Sequence, residues 1–393
     1  MSESARRERM SAGFEAHYGP GEGVPAVWVR APGRVDLMGS HTDYNQGYVL
    51  TMPIDRDVWI LARPRPDRRV RVHSLNVSGG GGFDLDDIDH DRDNPWTDYV
   101  RGVAAVLEDE GYALTGFDAV LHSTVPIGSG LSSSAALETA TAVLFQTLGG
   151  WEIEPVEMAL LCQRAENEFV GMSCGILDQY TAILGREGCA LLLDCRDLTS
   201  RPVGLPPDLQ VMICDTRAQR ELTGSEYGER RGQCEEGVRL LARFYPSVTA
   251  LRDVTLDQFQ AHRDDLPPVV ARRCRFVIQE NERVLRLADI LPKGDRPAIR
   301  VLMRASYAGA RDLYEISSPE MEAMMEAMLG APGVVGARQA GAGFGGCMVA
   351  LVDAEAASGF ADHVRRSYAA ATGIEAEVYP VQAAAGAGTL EAA

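Results

Sequence analysis

The chain has 393 residues, 46% of them hydrophobic and 24% charged, which is material for two packed domains rather than one ordinary core. Its formal net charge of −18 at pH 7 excludes nucleic acid as a partner, because a phosphate backbone demands a basic face. Its apolar runs, such as 190–193 and 348–352, are strand-sized and far from the ~20 residues of a bilayer span, so no membrane partner is expected.

In chain order, residues 1–12 read as a frayed start with basic residues but no apolar stretch behind them. No secretory signal is expected, and the cytoplasm is the default location. The strand VWVRAP leads into the polar loop GRVDLMGSHTDYNQG, and YVLTMPI and VWILARP continue as strands. GGGGFDLDDIDHDRDN (79–94) reads as a glycine turn and a solvated acidic loop, since an EF-hand needs a glycine and a glutamate at places not filled here. WTDYVRGVAAVLEDEGY has helical spacing, and FDAVLHSTV alternates as a strand. PIGSGLSSS then opens the apolar helix AALETATAVLFQTLGG, followed by the helix EPVEMALLCQRAENEF and the strand CALLLDCRD. Proline and glycine concentrate in SRPVGLPPD, which marks a junction between domains over 1–204 and 205–393. The second half begins with the strand LQVMICDT and the amphipathic helix GSEYGERRGQCEEGVRLLARF. Helices near 270–290, 296–313 and 319–329 follow, then a short strand, the loop QAGAGFGG, the strand CMVALVD, a helix, the strand AEVYPV and a loose tail. Such strand–helix–strand units predict an α+β fold with a ferredoxin-like arrangement.

Several chemistries fall away on composition. Eight cysteines lie scattered without a CxxC pair, and seven histidines without an HExxH, as reduced thiols and no transition-metal site would have it. Lys293 is the single lysine, so a Walker loop is absent and Schiff-base chemistry has one implausible residue, in the turn LPKGD. GAGFGG is a literal GxGxxG, but a strand follows it directly where a dinucleotide fingerprint needs a helix.

Four segments remain that carry chemistry. In PIGSGLSSSAALE, Gly128 and Gly130 let the backbone approach a ligand, and Ser132, Ser133 and Ser134 open a helix whose first amides are unpaired. That is a pocket for a polyanion, or else a capped helix after a flexible turn. AENEFVGMSCGILDQYTAILG carries Glu166 and Asp178, one carboxylate suited to magnesium and one to accepting a proton; two exposed helix carboxylates are the alternative. The loop with Arg34, Asp36, Ser40, His41, Asp43 and Asn45 suits a polyhydroxylated ligand, or is a self-capping polar turn. QAGAGFGGC offers close backbone packing.

Taken together and in their order along the chain, these segments resemble the galactokinase branch of the GHMP small-molecule kinases, as does LTGSEYGERRGQCEE, over residues 26–353. The resemblance implies a ribosomal-S5-like N-terminal domain, a ferredoxin-like C-terminal domain and an active site between them. It implies ATP and Mg²⁺, with Asp178 as base toward an anomeric hydroxyl and Arg34 beside it. Ser133 and Glu166 would hold magnesium. Gly128, Ser129, Gly130, Leu131, Ser132, Ser133 and Ser134 would take the triphosphate, and Trp96 and Tyr99 would lie near the adenine or be core aromatics. Sugar contacts map onto Asp36, Ser40, His41, Asp43, Gly175, Asp178 and Tyr227, implying a galacto-configured ring. The partners are then the small sugar and ATP, on a monomer or a homodimer.

Two positions depart from the family pattern. Asp36 stands for its asparagine, and Ser40 for the glutamate that accepts from the carbon-6 hydroxyl. A shorter neutral group costs a matching hydroxyl on the order of 1–3 kcal/mol. L-Arabinose, which lacks carbon 6, and D-galacturonate thus stand beside D-galactose, and plant arabinokinases carry a similar GRLDVMGG loop. A non-catalytic sugar and ATP sensor and an NAD-linked dehydrogenase are the readings from other classes.

Overall fold

The computed structural model describes residues 1–20, 23–172, 174–218 and 224–391. Twelve strands occur among them: β1 (Val27–Met38), β2 (Tyr48–Pro64), β3 (Arg69–Ser74), β4 (Gly80–Asp84), β5 (Phe117–Ser123), β6 (Cys189–Asp194), β7 (Thr199–Gly204), β8 (Leu209–Asp215), β9 (Val334–Gln339), β10 (Cys347–Asp353), β11 (Glu377–Val381) and β12 (Gly388–Leu390). The first sheet runs β12-β1-β2-β5-β3-β4, and β6 and β7 extend it from the other half of β2. β2 is long enough to serve both, bonding β5 through 58–64 and β6 through 48–51. The second sheet runs β11-β8-β10-β9, antiparallel throughout, which is the ferredoxin-like order expected.

Helices with small or branched faces close the core. Ser133–Gly149 buries Ala135, Ala136 and Ala140, so its backbone comes close to β1 and β2. Pro268–Ile290 turns Val284 and Leu287 into the cluster that also holds Leu37 and Leu50 of the first sheet and Val349 and Leu351 of the second. The two halves therefore share one hydrophobic cluster rather than meeting at a wet seam.

Three local readings fail for reasons that lie elsewhere in the chain. The start is a helix, Glu3–Tyr18, capped by Ser2 and anchored through Met10 and Phe14. Its Arg6 is buried against Asp57 at 2.5 Å and His122 at 2.9 Å, partners that lie 51 and 116 residues away. The glycine run at 80–84 is an edge strand on β3 rather than a turn. The loose tail is partly a strand, since Leu390 returns to pair with Trp28 of β1.

Candidate active site

One cavity of about 820 Å³ gathers residues from 34 to 342, within the size range of ligand pockets. Arg34, Asp36, Ser40, His41, Asp43, Gly175, Asp178 and Tyr227 line it, together with Gly128, Gly130, Ser132, Ser133, Ser134, Glu166, Trp96 and Tyr99. Lys293 is exposed on the Leu291–Lys293 turn and is not among the lining residues.

The local geometry begins on β1. A register shift between Pro32 and Arg34 re-aims the strand, and Gly33 sits there because a side chain would meet the Leu131 carbonyl at 2.6 Å. Arg34, 6% exposed, then donates to Asp178 Oδ1 through Nε at 2.8 Å and pairs with it through Nη2 at 2.6 Å. Its Nη1 donates to the Gly130 carbonyl at 2.7 Å and its backbone N–H to the Leu131 carbonyl at 3.1 Å. One guanidinium thus fixes the aspartate and the glycine–serine loop together.

That loop departs from a capped turn. Gly128 and Gly130 take φ of 74° and 84°, and Ser132 itself is left-handed at φ 62°. Ser132 precedes the Ser133–Gly149 helix without capping it; its hydroxyl donates instead to Asp178 Oδ2 at 2.5 Å. The first amides of the helix therefore have no serine cap, as an anion site requires. Two expected contacts need correction. Ser129 donates its hydroxyl to the Pro126 carbonyl and Leu131 is fully buried, so neither side chain lines the cavity. Their backbones instead accept from Cys347 and Arg34.

Glu166 is 7% exposed and takes the Gln179 amide at 2.6 Å and the Cys174 thiol at 3.3 Å. Burial, and then Asp178 nearby, push its carboxyl upward. A buried carboxylate beside Ser133 and Ser134 is a hard-oxygen donor set of the kind that holds magnesium with few protein ligands and substrate phosphates.

At the sugar-loop end, Asp43 explains Gly175: a Cβ there would lie 1.7 Å from Asp43 Oδ2. Gly175→Ala should therefore displace Asp43 and raise the KM for the sugar about 10²-fold, with nucleotide KM nearly unchanged, in steady-state assays varying one substrate at a time. His41 corrects another expectation. Its Nε2 faces the Ala342 carbonyl at 2.9 Å, which only accepts, so Nδ1 accepts from the Tyr44 hydroxyl at 2.9 Å. Burial lowers its pKa to about 4, so the ring is neutral and both nitrogens are taken inside the protein. Tyr44 accepts in turn from Tyr314 at 2.7 Å, and Tyr314 from the Cys234 thiol at 3.2 Å. His41 is a strut between the sugar loop and the glycine-rich loop rather than a side-chain reader. Tyr227 packs over it with ring centroids 5.5 Å apart; residues 222–223, which open its segment, lie outside the described residues.

Arg338, absent from the residues singled out above, is fully buried on β9 and reaches Ser40 Oγ at 2.9 Å. The available signal was a lone arginine inside VVGARQ, because a charge within an apolar strand needs a buried partner. The glycine-rich loop after it takes positive φ at Gly341, Gly343, Phe344, Gly345 and Gly346 before β10, so it is no dinucleotide fingerprint.

Comparison with known proteins bears on this arrangement. The profile of the galactokinase galactose-binding signature matches residues 12–64, that of the GHMP kinases N terminal domain 98–186, and that of the GHMP kinases C terminal 287–370. A galactokinase of Roseiflexus sp. (strain RS-1) is 45% identical over 377 residues, 96% of this chain and 95% of its own. One of Chloroflexus aggregans (strain MD-66 / DSM 9485) is 44% identical over 377 residues, with the same coverage. The crystal structure of Lactococcus lactis galactokinase complexed with galactose superposes with a TM-score of 0.92 at 32% identity, covering 98% of this chain and 99% of that one. A mevalonate kinase, at TM-score 0.64 and 17% identity, shares the fold over 91% of this chain and 98% of its own. With near-complete coverage at such identity, and an aspartate, a guanidinium and a glycine–serine loop converging on one cavity, this chain belongs to the galactokinase family of GHMP kinases and is an ATP-dependent sugar kinase.

Proposed function

We propose that the protein transfers the γ-phosphoryl group of ATP to the anomeric hydroxyl of D-galactose, with Asp178 as general base. The observation that carries this reading is the clamp on Asp178: Arg34 on one carboxylate oxygen and Ser132 on the other, at the point where the sugar loop meets the phosphate loop. A hydroxyl seated against Asp178 loses its proton to the carboxylate as it attacks phosphorus, and Arg34 meets the charge that spreads over the transferring group. The amides opening the Ser133–Gly149 helix and the glycine backbone hold the phosphates. Glu166 and Ser133 would hold magnesium, which offsets charge on the phosphate oxygens. Trp96 and Tyr99, both half-buried in the cavity wall, flank the place for the base of the nucleotide. Asp43 and Tyr227 read ring hydroxyls.

Arg34 pairs with Asp178 and Arg338 stands beside Asp36, which leaves Asp43 without a cationic partner at the sugar end and disfavours the extra carboxylate of D-galacturonate against a neutral sugar. The intact base and phosphate loop in one cavity favour catalysis over sensing. ADP release with magnesium, measured over D-galactose, L-arabinose, D-galacturonate, N-acetylgalactosamine and D-glucose, tests the reading. It should be fastest with D-galactose, and ligand-dependent thermal stabilisation without any ATP consumption would refute it.

The acidity of Asp43 adds a pH limb. Burial raises its pKa to about 6, so both of its oxygens accept as a charged carboxylate only above that value. The kcat/KM for the sugar should fall as pH drops through about 6, with a recovering limb above it, in a profile of initial rates. The sign for stability is opposite. A raised acid pKa costs the fold stability as pH rises from the ordinary carboxyl value of 3.8 through about 6, so the loss of activity on the acid side is not explained by this group's effect on unfolding.

A further inference from the structure

The inner wall of the cavity holds a carboxylate that the mechanism above leaves unused. Asp36 stands two residues beyond Arg34 on a regularly paired stretch of β1, so the two side chains leave the same face of the strand. It is fully buried. Its Oδ2 accepts from Ser40 at 2.5 Å, and Ser40 in turn accepts from Arg338 Nη2 at 2.9 Å. Its Oδ1 has no hydrogen-bond partner and stands 3.5 Å from Arg338 Nη1. Arg338 is itself flanked by Glu280 at 3.5 Å, which takes Ser306 at 2.6 Å and Arg283 at 2.7 Å. Ser40 has spent its single donor on Asp36 and is 3% exposed, which leaves it little to offer a ligand.

A buried carboxylate oxygen without a donor is costly, and here its residue lines the cavity. Positions i and i+2 of a strand lie about 7 Å apart. In a pyranose the anomeric hydroxyl and the exocyclic hydroxymethyl flank the same ring oxygen. A ring that presents its anomeric hydroxyl to Asp178 and Arg34, with that edge along β1, brings its hydroxymethyl to Asp36. Resting on the sugar-kinase reading above, we propose that Asp36 Oδ1 is the acceptor for the exocyclic hydroxyl of the sugar, and that Ser40 and Arg338 are positioning residues that aim it. The chain thus carries on the strand, at 36, the charge that Ser40 lacks in the loop. The loss of a glutamate at 40 does not turn the pocket toward L-arabinose.

The test moves the charge back. Asp36→Asn, Ser40→Glu and the double variant are assayed with D-galactose and with 6-deoxy-D-galactose, which lacks only the hydroxyl in question. Asp36→Asn should lower the ratio of kcat/KM between the two sugars about tenfold, because a charged acceptor becomes a neutral one. Ser40→Glu sets two carboxylates side by side around one guanidinium and should damage the enzyme. The double variant keeps the total charge and should recover both activity and ratio beyond either single change, a non-additivity that independent sites do not show. Equal loss on both sugars in Asp36→Asn, or a double variant no better than Ser40→Glu, overturns the proposal. If Asp36→Asn fails to fold, the comparison of the double variant with Ser40→Glu decides. A wild-type enzyme that turns over L-arabinose but no D-galactose overturns the galactose reading instead.

Discussion

Asp178→Asn should lower kcat by about 10²–10⁴-fold while sugar affinity by calorimetry stays within a few-fold of wild type. The split follows from what the amide keeps and loses. Asparagine is isosteric, its carbonyl oxygen can face Arg34, and the Ser132 hydroxyl can accept from its NH₂ where it now donates to a carboxylate. The pocket is therefore held, and the variant lacks only a group that takes a proton. If kcat survives, the hydroxyl loses its proton to another acceptor, and the role given to Asp178 is wrong. The readout must be single-turnover phosphoryl transfer as well as steady state, because slow product release would mask a partial loss of the chemical step.

Arg34→Lys should cost about 10²–10³-fold in kcat and raise the KM for ATP as well, although the charge is kept. The reason is geometric. Arg34 spans Asp178 through Nε and Nη2 and the Gly130 carbonyl through Nη1, and a single ammonium cannot reach both at 2.6–2.8 Å. Losing the second contact loosens the loop that carries the phosphates, so base alignment and nucleotide binding fail together. An effect on one substrate alone would show that the guanidinium serves only that half of the site.

How much of this was legible in the sequence differs from residue to residue. Gly128, Gly130 and the serines were readable because close approach and positive φ are local demands that a residue type answers directly. The absence of any useful lysine was readable as well, since it excludes chemistries without reference to shape. What Ser132 does was not: its neighbours made it a helix cap, and Asp178, 46 residues on, took its hydroxyl. His41 was read as a sugar contact from its motif, yet both of its nitrogens are taken, one by a loop 301 residues away.

The sequence by itself therefore determined the α+β class, the glycine–serine turn into a helix and the family to which the chain belongs. Each of these is written in contiguous runs whose periodicity or conformational demand is local. Tertiary structure alone decided that the N-terminal helix would be anchored by Arg6, that the last strand would return to the first sheet, and that Arg338 would stand beside Asp36 across 302 residues. A buried charge is stabilised by whichever partner the fold brings within a few ångströms, and no pattern along the chain records that distance.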